Sequence, residues 1–106
     1  MTAGYKTQIA GILKAAARIE GRTRELSREG FLRDLTSVSA VEEDLSRIGK
    51  AVGDLPAKIR QRYPGIDWAA WSGIVSPGGD TLWSVVKQQL PAFARQVNRI
   101  LLDITD

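Results

Sequence analysis

The chain has 106 residues, 43% of them apolar and 25% charged, with a net charge of +3 at pH 7 and neither cysteine nor histidine. That length fits one domain around one modest core, and the composition is not that of a disordered chain. The missing Cys and His exclude a disulfide framework, the common zinc sites, and Ser-His-Asp or Cys-His catalysis.

The first ten residues carry Lys6 and Gln8 inside a helical pattern. They lack the apolar stretch and cleavage site of a secretion signal, so a cytoplasmic location is expected. No apolar run approaches the roughly 18 residues of a membrane span, so no membrane association is expected either. Tyr5, Ile9, Ile12, Ala16 and Ile19 recur at helical spacing, which predicts a helix over about Gly4 to Glu25. Gly21 weakens it locally. Ser27-Arg28-Glu29-Gly30 reads as a turn, or as the cap of a short helix holding Phe31 and Leu32. Val38, Val41, Leu45, Ile48, Val52 and Leu55 form a second seam, suited to lengthwise packing against another helix. Pro56 can open a short helix reaching Tyr63, and Tyr63-Pro64-Gly65 is a turn. Trp68 and Trp71 then share one helical face. Ser76-Pro77-Gly78-Gly79 is the strongest loop signal. Asp80 is a suitable N-cap for the third seam, Leu82, Val86, Leu90, Phe93, Val97, Ile100 and Ile104. Pro91 inside that seam predicts a kink or break near Leu90. No segment alternates with period two, so no strand is predicted. The expected fold is an all-α antiparallel bundle of four to five helices, a single domain over residues 1–106.

Several clusters invite a functional reading. The tryptophans could stack bases, but no Lys or Arg lies between Asp67 and Thr81, and core anchoring is the better reading. Arg18, Arg22, Arg24 and Arg28 are diluted by Glu20, Glu25 and Glu29, as on a solvated, ion-paired face. Lys58, Arg60 and Arg62 form a second basic group and, with Lys50, are candidate phosphate contacts. Glu42, Glu43 and Asp44 point in different directions around a helix, which suits a solvated face and not a metal cage. The Ser76 to Asp80 loop could cradle a phosphate at a helix start, but the Asp80 carboxylate would compete with the anion. No metal or other cofactor is expected.

The order of signals adds a resemblance. Phe31-Leu32-Arg33-Asp34 is followed by Ala40-Val41, Leu45 and Ile48-Gly49-Lys50-Ala51. Then come Arg62-Tyr63-Pro64-Gly65-Ile66-Asp67-Trp68, Leu82-Trp83 and Gln89-Leu90-Pro91. This run resembles the HepT-like branch of the HEPN superfamily. The resemblance implies an all-helical protein that forms homodimers and acts as a metal-independent ribonuclease toxin of a toxin–antitoxin pair. It implies a nucleotidyltransferase antitoxin, encoded beside the toxin, as partner. It also implies an active motif between the Pro-Trp turn and the Leu-Trp helix: an Arg, commonly an Asn after it, a His a few residues on, and often a Tyr two beyond. Gly73 matches a glycine that precedes this motif. Val75 and Ser76 stand where Arg and Asn would be, and Pro77, Gly78, Gly79 and Asp80 offer no His or Tyr. The stretch is also several residues short of the family pattern. Lys50 replaces a usual Glu, and Glu43 stands where a basic residue is common. No catalytic residue is therefore carried over. The expectation is a toxin-family subunit that keeps its bundle and partner surfaces, is inactive as a ribonuclease, and has at most weak contact with RNA. The alternatives are an active RNA endonuclease using Arg and Lys in place of the missing His, or a nonfunctional deletion product.

Overall fold

Each of the three apolar seams becomes a long helical rod. The structure, a computed structural model, describes residues 3–74 and 79–103. Its helices are α1 (Ala3–Thr23), α2 (Arg28–Arg33), α3 (Leu35–Asp54), α4 (Ala57–Arg62), α5 (Trp68–Ser72), α6 (Gly79–Ser84) and α7 (Leu90–Asp103), with a π turn, Val85–Gln89, joining the last two. No strand occurs among the described residues, so the all-α bundle stands.

The caps explain where the helices begin. Ser27 accepts the Gly30 N–H on its Oγ at 3.0 Å, so the Ser27-to-Gly30 stretch is the cap of a short helix. Asp34 accepts the Ser37 N–H at 3.2 Å and starts α3. Pro56 sits just before α4, where its fixed φ suits a helix start. Asp80 departs from expectation. α6 already begins at Gly79, so Asp80 lies inside the helix and is not its N-cap.

α1 packs against both α3 and α7, and α5 lies on α3. Ile9, Ile12 and Ile19 of α1 meet Val41, Ile48 and Val52 of α3 and Val97 and Ile100 of α7 in one core, all of them fully buried. Each such side chain stabilises the fold by about 1.5–3 kcal/mol relative to exposure. Ile104, the last position of the third seam, lies outside the described residues. α2 packs on α3 and α6, where Phe31 meets Trp83 with ring centroids 5.3 Å apart.

Pro91 does not break the third rod. The Leu90 N–H donates to the Val85 carbonyl, five residues back, and the backbone on either side stays in the right-handed helical region. This wider turn directly precedes the proline, whose missing N–H and ring would disturb a regular α turn. The same turn carries Lys87, whose Nζ donates to the Thr23 carbonyl at 2.9 Å and lies 4.8 Å from the Trp83 ring centre. A cation thereby satisfies a carbonyl at the C-terminus of α1.

Asp44 also departs from expectation, because it is buried. Its Oδ1 accepts from Arg18 Nη2 of α1 at 2.9 Å and from Arg47 Nη1 at 3.1 Å. Adjacent Glu43 does remain on the solvated face, paired with Arg47. Asp44 faces inward because α1 supplies its counter-charge from 26 residues away.

Candidate functional site

The region where the resemblance places a catalytic motif begins at the end of α5, so the anchoring of α5 decides its position. The turn before α5 closes when the Ile66 N–H donates to the Tyr63 carbonyl at 3.2 Å. The Trp68 indole Nε1 donates to the same carbonyl at 3.0 Å. Asp67 caps α5 by accepting the Ala70 N–H at 3.2 Å. Trp71 then stacks on Phe93 of α7 at 4.3 Å and 14°, while Trp68 meets the same ring edge-on at 6.2 Å. Trp68 and Trp71 are each 7% exposed. They are core anchors and offer no open face for a base.

Gly49 lets α5 lie this close to α3. A Cβ at that position would stand 3.1 Å from the Trp71 carbonyl oxygen and 3.4 Å from the Ile74 methyl Cγ2. The glycine in Ile48-Gly49-Lys50-Ala51 is thus a packing requirement. Gly73 ends α5, its N–H donating to the Ala69 carbonyl at 3.2 Å. Val75, Ser76, Pro77 and Gly78 lie outside the described residues, and Gly79 and Asp80 open α6.

The four candidate phosphate contacts sit in different settings. Lys50 is exposed on α3 and Lys58 on α4. Arg60 is half-buried, and its Nε is enclosed without a hydrogen-bond partner among the described residues. Arg62, at the end of α4, lines a groove against α7 whose other cations are Arg95 and Arg99. Those two were not singled out from the sequence, although their spacing of four puts them on one helical face. In the first basic patch, Arg18 pairs with Asp44, Arg24 with Glu20 and Arg28 with Glu29, as expected of an ion-paired face.

Among the described residues two titrating groups are displaced, both away from neutrality. Hydrogen bonds from the Ser37 hydroxyl, at 2.8 Å, and from the Ser37 N–H hold the Asp34 carboxyl below its ordinary value. Burial raises the Tyr63 hydroxyl above its ordinary value, assisted by Asp103, which accepts its hydrogen bond at 2.9 Å. Asp34 serves as a cap and Tyr63 as a tie to α7, and neither is poised to exchange protons near pH 7. Among the described residues, no group of three His, Cys, Asp or Glu could hold a metal ion. No described helix is long and apolar enough to cross a membrane.

Comparison with known proteins places this geometry in context. The profile of a family described as Ribonuclease HepT-like matches residues 12–74, more than half of the chain. The matched span runs from α1 through α5 and ends at Ile74, immediately before Val75. A protein of Thermococcus cleftensis named "Probable ribonuclease HepT" is 28% identical over 108 residues, covering 94% of this chain and 98% of its own length. A protein of Methanocaldococcus jannaschii, provisionally named an RNase, is 28% identical over 107 residues, covering 93% of this chain and 88% of its own length. A provisionally named RNase of Caldanaerobacter subterraneus is 24% identical over 98 residues, covering 85% and 88%. No solved structure matches the chain.

Proposed function

The chain belongs to the HepT-like ribonuclease family, and on that premise we propose that it is a toxin-family subunit that retains the helical bundle and its partner surfaces but does not cleave RNA. The observation that carries this reading is the stretch between Gly73 and Leu82, which contains neither Arg nor His, in a chain with no His at all. Cleavage through the 2′-hydroxyl needs a base for its proton, an acid for the leaving oxygen and positive charge on the phosphate. Val75, at the Arg position of the resemblance, carries no charge, and no imidazole follows it.

The packing supports retention of the fold without the site. α5 is held by Trp68, Trp71 and the close approach at Gly49. α6 is held by buried Leu82 and by the Phe31–Trp83 contact. Of these contacts only the Ile74 methyl beside Gly49 comes from the stretch between Gly73 and Leu82, and it lies before Val75, the position of the missing Arg. A homodimer and a nucleotidyltransferase antitoxin partner remain part of the proposal on the strength of family membership.

The test is paired expression in a bacterial host, alone and together with any nucleotidyltransferase that the neighbouring gene encodes. Normal growth when expressed alone, and a complex that co-elutes when both are present, are expected. Growth arrest relieved by the partner would overturn the inactive reading. A beside-encoded nucleotidyltransferase that fails to bind would overturn the retained partner surface.

A further inference from the structure

Charge is unevenly matched over this surface. Arg18, Arg24, Arg28 and Arg47 each face a carboxylate. Arg62, Arg95 and Arg99 have no acidic partner among the described residues, yet all three border one groove of about 840 Å³ between the 63–66 turn and α7. Arg95 and Arg99, four residues apart, share one face of α7, where Cβ atoms at that spacing are about 5–6 Å apart, and Arg62 reaches the groove from the end of α4. Asn98 and Gln96 add neutral donors along the same wall. The nearby carboxylate, Asp103, accepts the Tyr63 hydroxyl at 2.9 Å and is outnumbered by the three arginines.

We infer that this groove binds the phosphodiester backbone of a single-stranded nucleic acid. Guanidinium groups match phosphate oxygens in a fixed fork, and amide side chains contact phosphate and sugar without reading bases. An acidic protein segment fits less well, because stable protein interfaces centre on buried apolar anchors. Leu102 is the only large apolar side chain exposed at this groove among the described residues. Arg95 and Arg99 lie roughly 24–30 Å along the helical rod from the start of α6, at about 1.5 Å per residue. No described residue of the motif stretch is among those that line the groove, so binding there needs no catalysis. The choice of RNA as the natural strand rests on the family reading, and the backbone site itself does not.

The test is fluorescence anisotropy with a labelled 20-nucleotide 2′-O-methyl oligouridine, which resists cleavage, and with an oligodeoxythymidine of equal length. Each backbone contact removed lowers the salt slope by about 0.7, which corresponds to about fourfold in affinity at 0.15 M salt. Arg62→Gln, Arg95→Gln and Arg99→Gln should each show that loss, and the triple variant roughly sixtyfold. The double variant Arg22→Gln/Arg33→Gln changes charge elsewhere and should stay within about twofold of the parent. Circular dichroism matching the parent keeps loss of fold apart from loss of binding. Binding of either strand with this arginine dependence supports the site, and the tighter strand identifies the source. Equal loss in the Arg22/Arg33 control, no binding of either strand, or equally strong competition by polyglutamate would overturn the inference. Growth arrest or RNA cleavage by the parent would instead count against the inactive reading and leave this site standing.

Discussion

Gly49→Ala compared with Gly11→Ala isolates the contact that seats α5. Both glycines lie inside long helices, α3 and α1, where alanine is intrinsically favoured by about 1 kcal/mol. A methyl at Gly11 meets nothing within 4 Å, so that gain should be realised in full. A methyl at Gly49 would stand 3.1 Å from the Trp71 carbonyl oxygen and 3.5 Å from that of Ser72. Both atoms are backbone and cannot rotate away. α5 can yield only by disturbing the Trp71–Phe93 stack at 4.3 Å or the Trp68 bond to the Tyr63 carbonyl. Overpacking of this kind costs about 1–3 kcal/mol. Gly49→Ala should therefore fall about 1–3 kcal/mol below Gly11→Ala, a gap of roughly 4–12 °C in melting temperature for a domain of this size. Thermal unfolding followed by circular dichroism, with urea titrations beside it, reads that gap. Equal stabilisation by the two substitutions would refute the account of how α5 sits on α3.

Leu45→Ala, at a side chain 1% exposed, should lower unfolding free energy by about 2–5 kcal/mol in urea titrations; a loss near zero would mean the α1–α3 core is wrongly described. Asp34 has a depressed folded value, so its contribution is complete above its ordinary pKa of 3.8 and is lost as pH falls through the lower folded value. Asp34→Ala should therefore flatten the acid limb of the stability profile. Tyr63 has a raised folded value, so its contribution is complete below pH 10.0 and is lost as pH rises through that higher value. Tyr63→Phe should lessen the loss of stability at alkaline pH, and a limb as steep as the parent's in either variant would contradict the assignment. Light scattering at micromolar concentration should show twice the 11.6 kDa chain mass; a lone monomer would remove the homodimer from the proposal.

The three rods were legible because burial on one face of a helix repeats every three or four residues. Ile9, Ile12 and Ile19, Val41 through Leu55, and Leu82 through Ile100 are buried as their spacing predicts, while Tyr5 and Val38 at the seam ends are half-buried. What escaped prediction depends on elements far apart in the chain. Asp44 looks solvated beside Glu42 and Glu43 until α1 brings Arg18 against it. The kink or break expected near Leu90 takes the form of a π turn, stitched to α1 through Lys87 and Thr23. Gly49 was legible as part of a family pattern, but its reason is a carbonyl of α5. The groove needed the Tyr63 turn to bring Arg62 beside Arg95 and Arg99. The motif stretch was legible by chemistry alone, since the missing charge and imidazole are properties of the residue types.

Incubation of the homogeneous protein with tRNA and mRNA in EDTA, beside a Lys50→Ala variant, tests the central claim most directly. A positioned acid–base group contributes about 10²–10⁴-fold, and charge stabilisation about as much again. A chain lacking both at the motif should leave the RNA intact over the time in which a family toxin would degrade it. Robust cleavage by the parent, abolished by Lys50→Ala, would contradict the account and assign the chemistry to a lysine.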